Sequence, residues 1–235
     1  MKFGIDAPVV VRNLFIFGLL AAALIPLVFW IESSLWFWIA LVYLASVAAS
    51  LLACALLMLY SSLISKKRLV VKLIDELALK GNESILDLGC GRGLFLIESA
   101  KRLKTGFARG VDLWSSKDQS NNGAEQTEKN IRLANLQNRI ELHTGDMRTL
   151  PYAAGTFDVA ISSLAIHNIP DLKGREMALQ EMLRVLKPGG RFMILDLHYA
   201  SQYYNYLNQG ASKAELSGKI YDYFPPLRKV TGHKT

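Results

Sequence analysis

The sequence is poor in cysteine. Cys54 and Cys90 are its two cysteines among 235 residues, the first inside an apolar run and the second inside a glycine-rich turn. A disulfide framework or a cysteine-rich metal centre needs more thiols than this, so both classes are excluded and no metal site is predicted. So few cysteines are typical of a protein from a reducing compartment.

Charge is absent from two long stretches near the N-terminus, residues 13–31 and residues 35–64. At about 1.5 Å per helical residue, each stretch can cross roughly 30 Å of hydrocarbon. They predict a transmembrane helical hairpin over residues 1–65, with spans at about 9–31 and 35–64. A cleaved signal peptide and two buried helices are the alternatives, but the apolar core of a signal peptide is shorter, about 7–15 residues.

Positive charge follows the second apolar stretch directly. Lys66, Lys67 and Arg68 form a short basic flank, and such flanks are normally kept on the cytoplasmic side of a membrane. The formal net charge is +7, and the whole excess lies beyond residue 64. We therefore predict a membrane protein with two spans, both ends in the cytoplasm, and contacts with anionic membrane lipids. The same placement disfavours nucleic acid as a partner, and the oligomeric state is left open.

Residues 66–235 are predicted to form one α/β domain. Its first helix covers residues 66–80, where apolar residues recur at helical spacing. These residues are Leu69, Val70, Leu73, Ile74 and Leu77. The pattern favours a helix that covers a sheet over one that lies on lipid, although the charged face of such a helix can also be turned towards a membrane.

Three alternating glycines follow an apolar run in the stretch "ILDLGCGRG", residues 85–93. Residues 84–88 have the composition of a buried parallel strand, and apolar residues at helical spacing follow the glycines. Gly89, Gly91 and Gly93 therefore occupy a strand-to-helix turn, where the missing side chains let the backbone approach a ligand. The free N–H groups at the start of the helix suit a polar or negative group.

The spacing of these glycines excludes the dinucleotide-binding fingerprint, G-x-G-x-x-G, because Leu94 stands where the third glycine would be. The observed pattern, D-x-G-x-G-x-G, resembles motif I of the class I S-adenosylmethionine-dependent methyltransferases. The resemblance implies that the cofactor is S-adenosylmethionine, and that the three glycines hold its methionine part. It also implies that Asp87 helps to orient the ammonium group of the cofactor.

Other motifs of the same family follow in order. The stretch "GVDLW" resembles the segment whose acid, here Asp112, accepts hydrogen bonds from the ribose hydroxyls while Leu113 packs on adenine. The stretch "IELHTGDMRTLPYAAGTFDVAISSLAIHNI" resembles the small-molecule branch that includes ubiquinone and menaquinone biosynthesis methyltransferases. There the resemblance implies that Asp146 accepts from the adenine amino group and Met147 offers its backbone N–H to the ring. Ser163 would face the methionine end of the cofactor.

The resemblance covers about residues 66–199 and ends with "LKPGGRFMILDL", a turn and a fifth buried strand. It implies an α/β fold: a Rossmann-like class I methyltransferase domain with a mostly parallel sheet flanked by helices, preceded by the two transmembrane helices. Beyond Tyr199 the chain departs from the family pattern. A short lid helix and a final antiparallel hairpin are predicted there, but the segment is brief, which leaves the completeness of the sixth and seventh strands open.

Histidines are the candidates for proton transfer. Methyl transfer mainly requires that the acceptor be positioned, but an acidic acceptor also needs a base, and neutral histidine suits that role near pH 7. His167, which follows the fourth strand, is the predicted catalytic base, with a capping or packing role as the alternative. His198 is a second pocket candidate, whereas His143 is expected to be structural. Three tyrosines either shape an apolar acceptor pocket or pack a short helix: Tyr203, Tyr204 and Tyr206.

The sequence also narrows the acceptor. Methyltransferases that act on exocyclic amino groups carry an Asn/Asp-Pro-Pro-aromatic turn after the fourth strand, where this chain has "SSLA", residues 162–165. Arsenic methylation in a related family needs several cysteines, which the chain lacks. We predict a membrane-anchored S-adenosylmethionine-dependent methyltransferase acting on a lipidic or amphiphilic small molecule, such as a quinone, an isoprenoid or a lipid headgroup. The alternatives are methylation of small thiols or xenobiotics, and a non-catalytic membrane scaffold that binds S-adenosylmethionine.

Overall fold

Two apolar helices begin the fold. α1 (Pro8–Val28) and α2 (Leu35–Tyr60) pack against each other, and both are long and apolar enough to cross a membrane. Most of their large side chains are exposed, as expected of a surface that could face lipid. The predicted end of the first span, residue 31, lies outside the described residues. The computed structural model describes residues 1, 3–30, 35–115, 123–210 and 212–235.

The second helix continues across the predicted boundary between residues 65 and 66. It passes through one π-helical turn, Ser61–Ser65, into α3 (Lys66–Glu76), so that one continuous rod joins the hairpin to the following domain. The apolar face of α3 is buried against the domain, which confirms that this helix covers the sheet. The buried residues of that face are Leu69, Val70, Leu73 and Ile74.

A seven-stranded sheet forms the centre of the domain, in the order β3-β2-β1-β4-β5-β7-β6. The first five strands are parallel, and β7 is antiparallel to both β5 and β6. The mostly parallel α/β fold is therefore confirmed, and both C-terminal strands are complete. The strands are β1 (Ser84–Leu88), β2 (Phe107–Asp112), β3 (Ile140–Thr144), β4 (Phe157–Ser163), β5 (Leu186–Asp196), β6 (Ser212–Ile220) and β7 (Leu227–Lys234).

Helices cover both faces of this sheet. They are α3, α4 (Leu94–Ala100), α5 (Ala124–Leu133), α6 (Leu172–Val185) and α7 (Ala200–Leu207). Successive side chains of a strand point to opposite faces, so Ile85 packs in one core cluster with α3 and α4, while Leu86 and Leu88 pack in the other with α6 and α7. This explains why β1 is apolar at nearly every position, as parallel strands buried on both faces are.

The hairpin is joined to the domain by polar contacts. Lys66 Nζ lies 2.7 Å from Asp6 Oδ1, and the hydroxyl of Tyr223 donates to Asp6 Oδ2 at 2.7 Å. The backbone N–H of Phe224 donates to Ser61 Oγ at 2.8 Å. Tyr223 and Phe224 belong to the loop between β6 and β7, so the C-terminal strands hold the hairpin in place.

Candidate active site

A pocket of about 520 Å³ lies at the carboxyl ends of the parallel strands. The chain adds β2 and β3 on one side of β1 and then crosses to add β4 and β5 on the other side, and open α/β sheets bind ligands where the strand order reverses in this way. Four predicted site residues meet here because each ends or follows a different strand. They are Asp87 from β1, Asp112 from β2, Asp146 after β3 and Ser163 from β4.

The glycine turn forms the floor of this pocket. Gly89 and Gly91 line it, and both have left-handed backbone angles, with φ of 71° and 48°. A Cβ at Gly89 would lie only 2.2 Å from the Cβ of Ala165, so no side chain fits there. Gly93, also predicted to bind the cofactor, is not on the pocket wall. It caps the start of α4 with φ 79°, and direct contact with the cofactor stays a prediction.

Asp87 is buried at the head of the turn. Its Oδ2 accepts no hydrogen bond from any residue that the structure describes. Burial, together with the nearby charge of Asp112, raises the pKa of Asp87 to about 8. A buried carboxyl oxygen without a partner on a pocket wall suits a cationic ligand group, so Asp87 fits the ammonium of S-adenosylmethionine.

Asp112 is held firmly by backbone groups. Its Oδ2 accepts from the N–H of Gly91 at 2.7 Å, and its Oδ1 accepts from the N–H of Trp114 at 2.6 Å. The first bond ties the end of β2 to the glycine turn of β1, so these two parts of the pocket are positioned together. Leu113 lines the pocket with an exposed side chain, as packing on adenine would require. The contact of Asp112 with ribose stays a prediction.

Asp146 has a partner that the sequence did not indicate. The guanidinium of Arg148 donates to both carboxylate oxygens, with Nη2 at 2.5 Å from Oδ2 and Nε at 3.0 Å from Oδ1. These bonds from Arg148 lower the pKa of Asp146, so its carboxylate is charged at neutral pH. Both residues line the pocket together with Met147. If Asp146 contacts adenine as predicted, it does so with a carboxylate that is also paired with Arg148.

His167 forms a short hydrogen bond on another wall of the pocket. It lies in a 3₁₀ turn after β4, and its Nδ1 is 2.5 Å from Asp196 Oδ1. Asp196 is only 1% exposed, and it also accepts from Leu197 N–H at 2.7 Å and from the hydroxyl of Tyr203 at 3.2 Å. With a proton on Nδ1 facing the carboxylate, neutral His167 has Nε2 as its proton acceptor.

Asp196 was missed by the sequence analysis, although it lies in a quoted motif. It ends β5, and the carboxyl ends of neighbouring parallel strands meet at one edge of a sheet, so its place in the strand was a usable signal. Tyr203 is buried, and its hydroxyl donates a hydrogen bond to Asp196. It therefore packs in the core and orients the carboxylate of Asp196, and it does not line the pocket. Tyr204 and Tyr206 also lie off this pocket, partly buried against the core.

The other two histidine expectations have different outcomes. The ring of His198 lies 6.1 Å from that of His167, centroid to centroid, but His198 is not on the pocket wall. His143 lies within β3, with Nε2 3.1 Å from Glu141 Oε1, and does not line the pocket. Its position within a strand agrees with the prediction, and its structural role stays a prediction.

The pocket also extends to residues far away in the sequence. Residues from the N-terminal part and from the loop between β6 and β7 complete its wall: Phe3, Asp6, Ala7, Met58, Lys66, Tyr223 and Pro225. No local pattern marks them, because they come together only through packing of the hairpin on the domain.

The chain is similar to known methyltransferases in sequence. Residues 85–190 match the model of a family described as a methyltransferase domain. A demethylmenaquinone methyltransferase from Lactobacillus johnsonii is 34% identical over 126 residues, which cover 53% of this chain and 48% of the relative. The chain spans about half the length of the curated relatives it matches.

Solved structures share the fold. A methyltransferase dependent on S-adenosylmethionine, from Aquifex aeolicus, has a TM-score of 0.57 and 16% identity over 72% of this chain and 93% of that one. The [4+2]-cyclase SpnF has a TM-score of 0.60 and 17% identity over 72% of this chain and 81% of that one. At such identities the likeness concerns the fold alone. The family match over residues 85–190, the motif order and the pocket at the strand ends together make this chain similar to the class I S-adenosylmethionine-dependent methyltransferases and support S-adenosylmethionine as its cofactor.

Proposed function

We propose that this protein is anchored in a membrane and methylates a lipophilic small molecule of the naphthoquinol class, the reduced form of a naphthoquinone. Two kinds of observation support the acceptor class. Relatives at 30% identity or more carry names that describe methylation of demethylmenaquinone or of 2-phytyl-1,4-naphtoquinone. The apolar helices α1 and α2 would keep the protein where such molecules dissolve.

The single observation that carries the mechanism is the position of His167. Its imidazole lies on the wall of the pocket that also holds the carboxylates predicted to bind the cofactor. When bound, S-adenosylmethionine supplies an electrophilic methyl group, and a phenolic acceptor becomes nucleophilic once its hydroxyl loses a proton. His167 Nε2 accepts that proton, and buried Asp196 holds the ring and stabilises the resulting imidazolium.

The assay uses the full-length protein in detergent, labelled S-adenosylmethionine and reduced demethylmenaquinone. We expect S-adenosylhomocysteine and labelled lipid product in equal amounts. In His167→Gln we expect kcat to fall about 100-fold or more, the usual contribution of a general base, with unchanged cofactor affinity. His233→Gln is the matched control, because His233 is exposed on β7 and outside the pocket.

Three results would contradict the proposal. Cofactor binding without S-adenosylhomocysteine would indicate a binding scaffold. Transfer of label to a small thiol in preference to the quinol would indicate the other acceptor class. Turnover by His167→Gln at the wild-type rate would show that the protein is a methyltransferase that does not use His167 as its base.

A further inference from the structure

The pocket does not end at the methyltransferase domain. Four residues of the N-terminal part and Lys66, the first residue of α3, also line it, and we call these five the hairpin wall: Phe3, Asp6, Ala7, Met58 and Lys66. Ala7 immediately precedes α1, and Met58 lies in the last turn of α2. The cavity therefore reaches the ends of both hairpin helices that face the domain, where the surface of a membrane would lie if the helices span it.

The hairpin wall has an apolar part and a charged part. Phe3, Ala7 and Met58 are apolar and only partly buried. Asp6 and Lys66 form an ion pair at 2.7 Å whose side chains are only 17% and 12% exposed. A pair so shielded from water loses hydration energy and must be held by further bonds. Here the hydroxyl of Tyr223 supplies one, and burial raises the pKa of Tyr223, so that the phenol keeps the proton it donates.

Lys66 can bind a ligand oxygen while it remains paired. An ammonium group has three N–H donors, and the bond to Asp6 uses one of them. Because Lys66 lies on the cavity wall, a second donor can serve an oxygen atom of a molecule in the cavity. The cavity thus fits an amphiphile that lies across the joint between domain and hairpin. Its oxygenated ring would lie beside Lys66, and its apolar chain would lie against Met58 and Phe3.

We propose that the hairpin wall is the acceptor-binding part of the active site. The acceptor enters from the bilayer between the domain ends of α1 and α2, Lys66 donates a hydrogen bond to its ring oxygen, and Met58 and Phe3 contact the start of its apolar chain. The inference rests on the proposed function for the identity of the acceptor. It makes the hairpin a part of the active site as well as an anchor.

The test uses a substitution that narrows the cavity at the apolar part of the hairpin wall. Met58→Trp adds bulk on the cavity side of α2, and Leu57→Trp adds the same bulk at the neighbouring position, which is 47% exposed and off the pocket wall. For Met58→Trp we expect KM for a prenylated naphthoquinol to rise at least tenfold, with unchanged affinity for S-adenosylmethionine. Leu57→Trp should match the wild type. Lys66→Met, which keeps the apolar stem, should lower kcat/KM for both prenylated and chain-free naphthoquinol.

A second measurement separates this inference from the proposed function. A naphthoquinol with a diazirine on its prenyl chain is photolysed with the full-length protein, and labelled peptides are identified by mass spectrometry. We expect labelling around Phe3 or Met58 that Met58→Trp removes and Leu57→Trp retains. Labelling elsewhere, or equal effects of the two tryptophan variants, would overturn the inference even if the quinol is methylated. Labelling at the hairpin wall without any turnover would support the inference and reject the proposed reaction.

Discussion

Asp87 shows at the scale of one residue how a pocket prepares for a charged ligand. Its carboxyl group is removed from water and lies near the negative Asp112, and both effects favour the neutral form. With a pKa of about 8, Asp87 is mostly protonated at pH 7 before the cofactor binds. A cationic ammonium group beside it reverses this preference, so binding should remove the proton.

This coupling predicts proton release. At pH 7, binding of S-adenosylmethionine should release close to one proton from Asp87, whereas above pH 9 the group is already ionised and release should vanish. The cofactor affinity should accordingly rise from pH 6 to pH 8. Calorimetry in buffers of different ionisation enthalpy measures the release. Asp87→Asn should abolish it and weaken binding, and a wild-type binding heat that is independent of the buffer would refute the coupling.

At the scale of an element, the turn between β1 and α4 depends on one close approach. Gly89 has a left-handed backbone, and a Cβ added to it would lie 2.2 Å from the Cβ of Ala165. The first feature costs a non-glycine residue about 1–2 kcal/mol. The second forces the turn away from the segment after β4, which carries His167.

Gly89→Ala is therefore predicted to reduce S-adenosylmethionine affinity more than tenfold and to destabilise the protein by more than backbone strain alone. Gly155→Ala is the matched control, because Gly155 also has a positive φ, 68°, but a Cβ there meets nothing within 4 Å. The control should lose about 1–2 kcal/mol and bind the cofactor normally. Thermal unfolding and cofactor titration compare the two, and equal losses would show that the contact with Ala165 has no effect.

At the scale of the whole molecule, one rod connects the apolar hairpin to the domain. α2, the π-helical turn and α3 are continuous, and the loop between β6 and β7 contacts the rod through Tyr223 and Phe224. If the hairpin spans a membrane, as we propose, its orientation determines on which side of the membrane the pocket lies. The basic flank after residue 65 predicts the cytoplasmic side.

Cysteine labelling tests this topology. Trp30→Cys places a thiol near the tip of the hairpin, at a position that is 88% exposed, and Leu133→Cys places one at the exposed end of α5 in the domain. An impermeant maleimide should label the first in intact cells and the second only after lysis. Both variants carry Cys54→Ser, because Cys54 is only partly buried, and the background from Cys90 should be low because burial raises the pKa of its thiol well above the usual value. Labelling of Leu133→Cys in intact cells would contradict the orientation.

Much of this protein could be predicted from local sequence patterns. Hydrophobic periodicity and glycine spacing depend on residues a few positions apart, and they correctly predicted the apolar helices, the parallel sheet and the turn of Gly89 and Gly91. The cofactor followed from the resemblance of these motifs, in their order, to those of the methyltransferase family. The role of Gly93 stays a prediction, because a glycine that caps a helix and one that contacts a ligand have the same local signature.

Sequence alone thus determined the class of fold, the cofactor and one wall of the pocket. Only the tertiary structure decided what completes it: the bond of His167 to Asp196, the ion pair of Asp146 with Arg148, and the hairpin wall. The physical reason is that such contacts depend on how elements pack, and packing brings together residues such as Asp6 and Tyr223 that no short-range pattern connects.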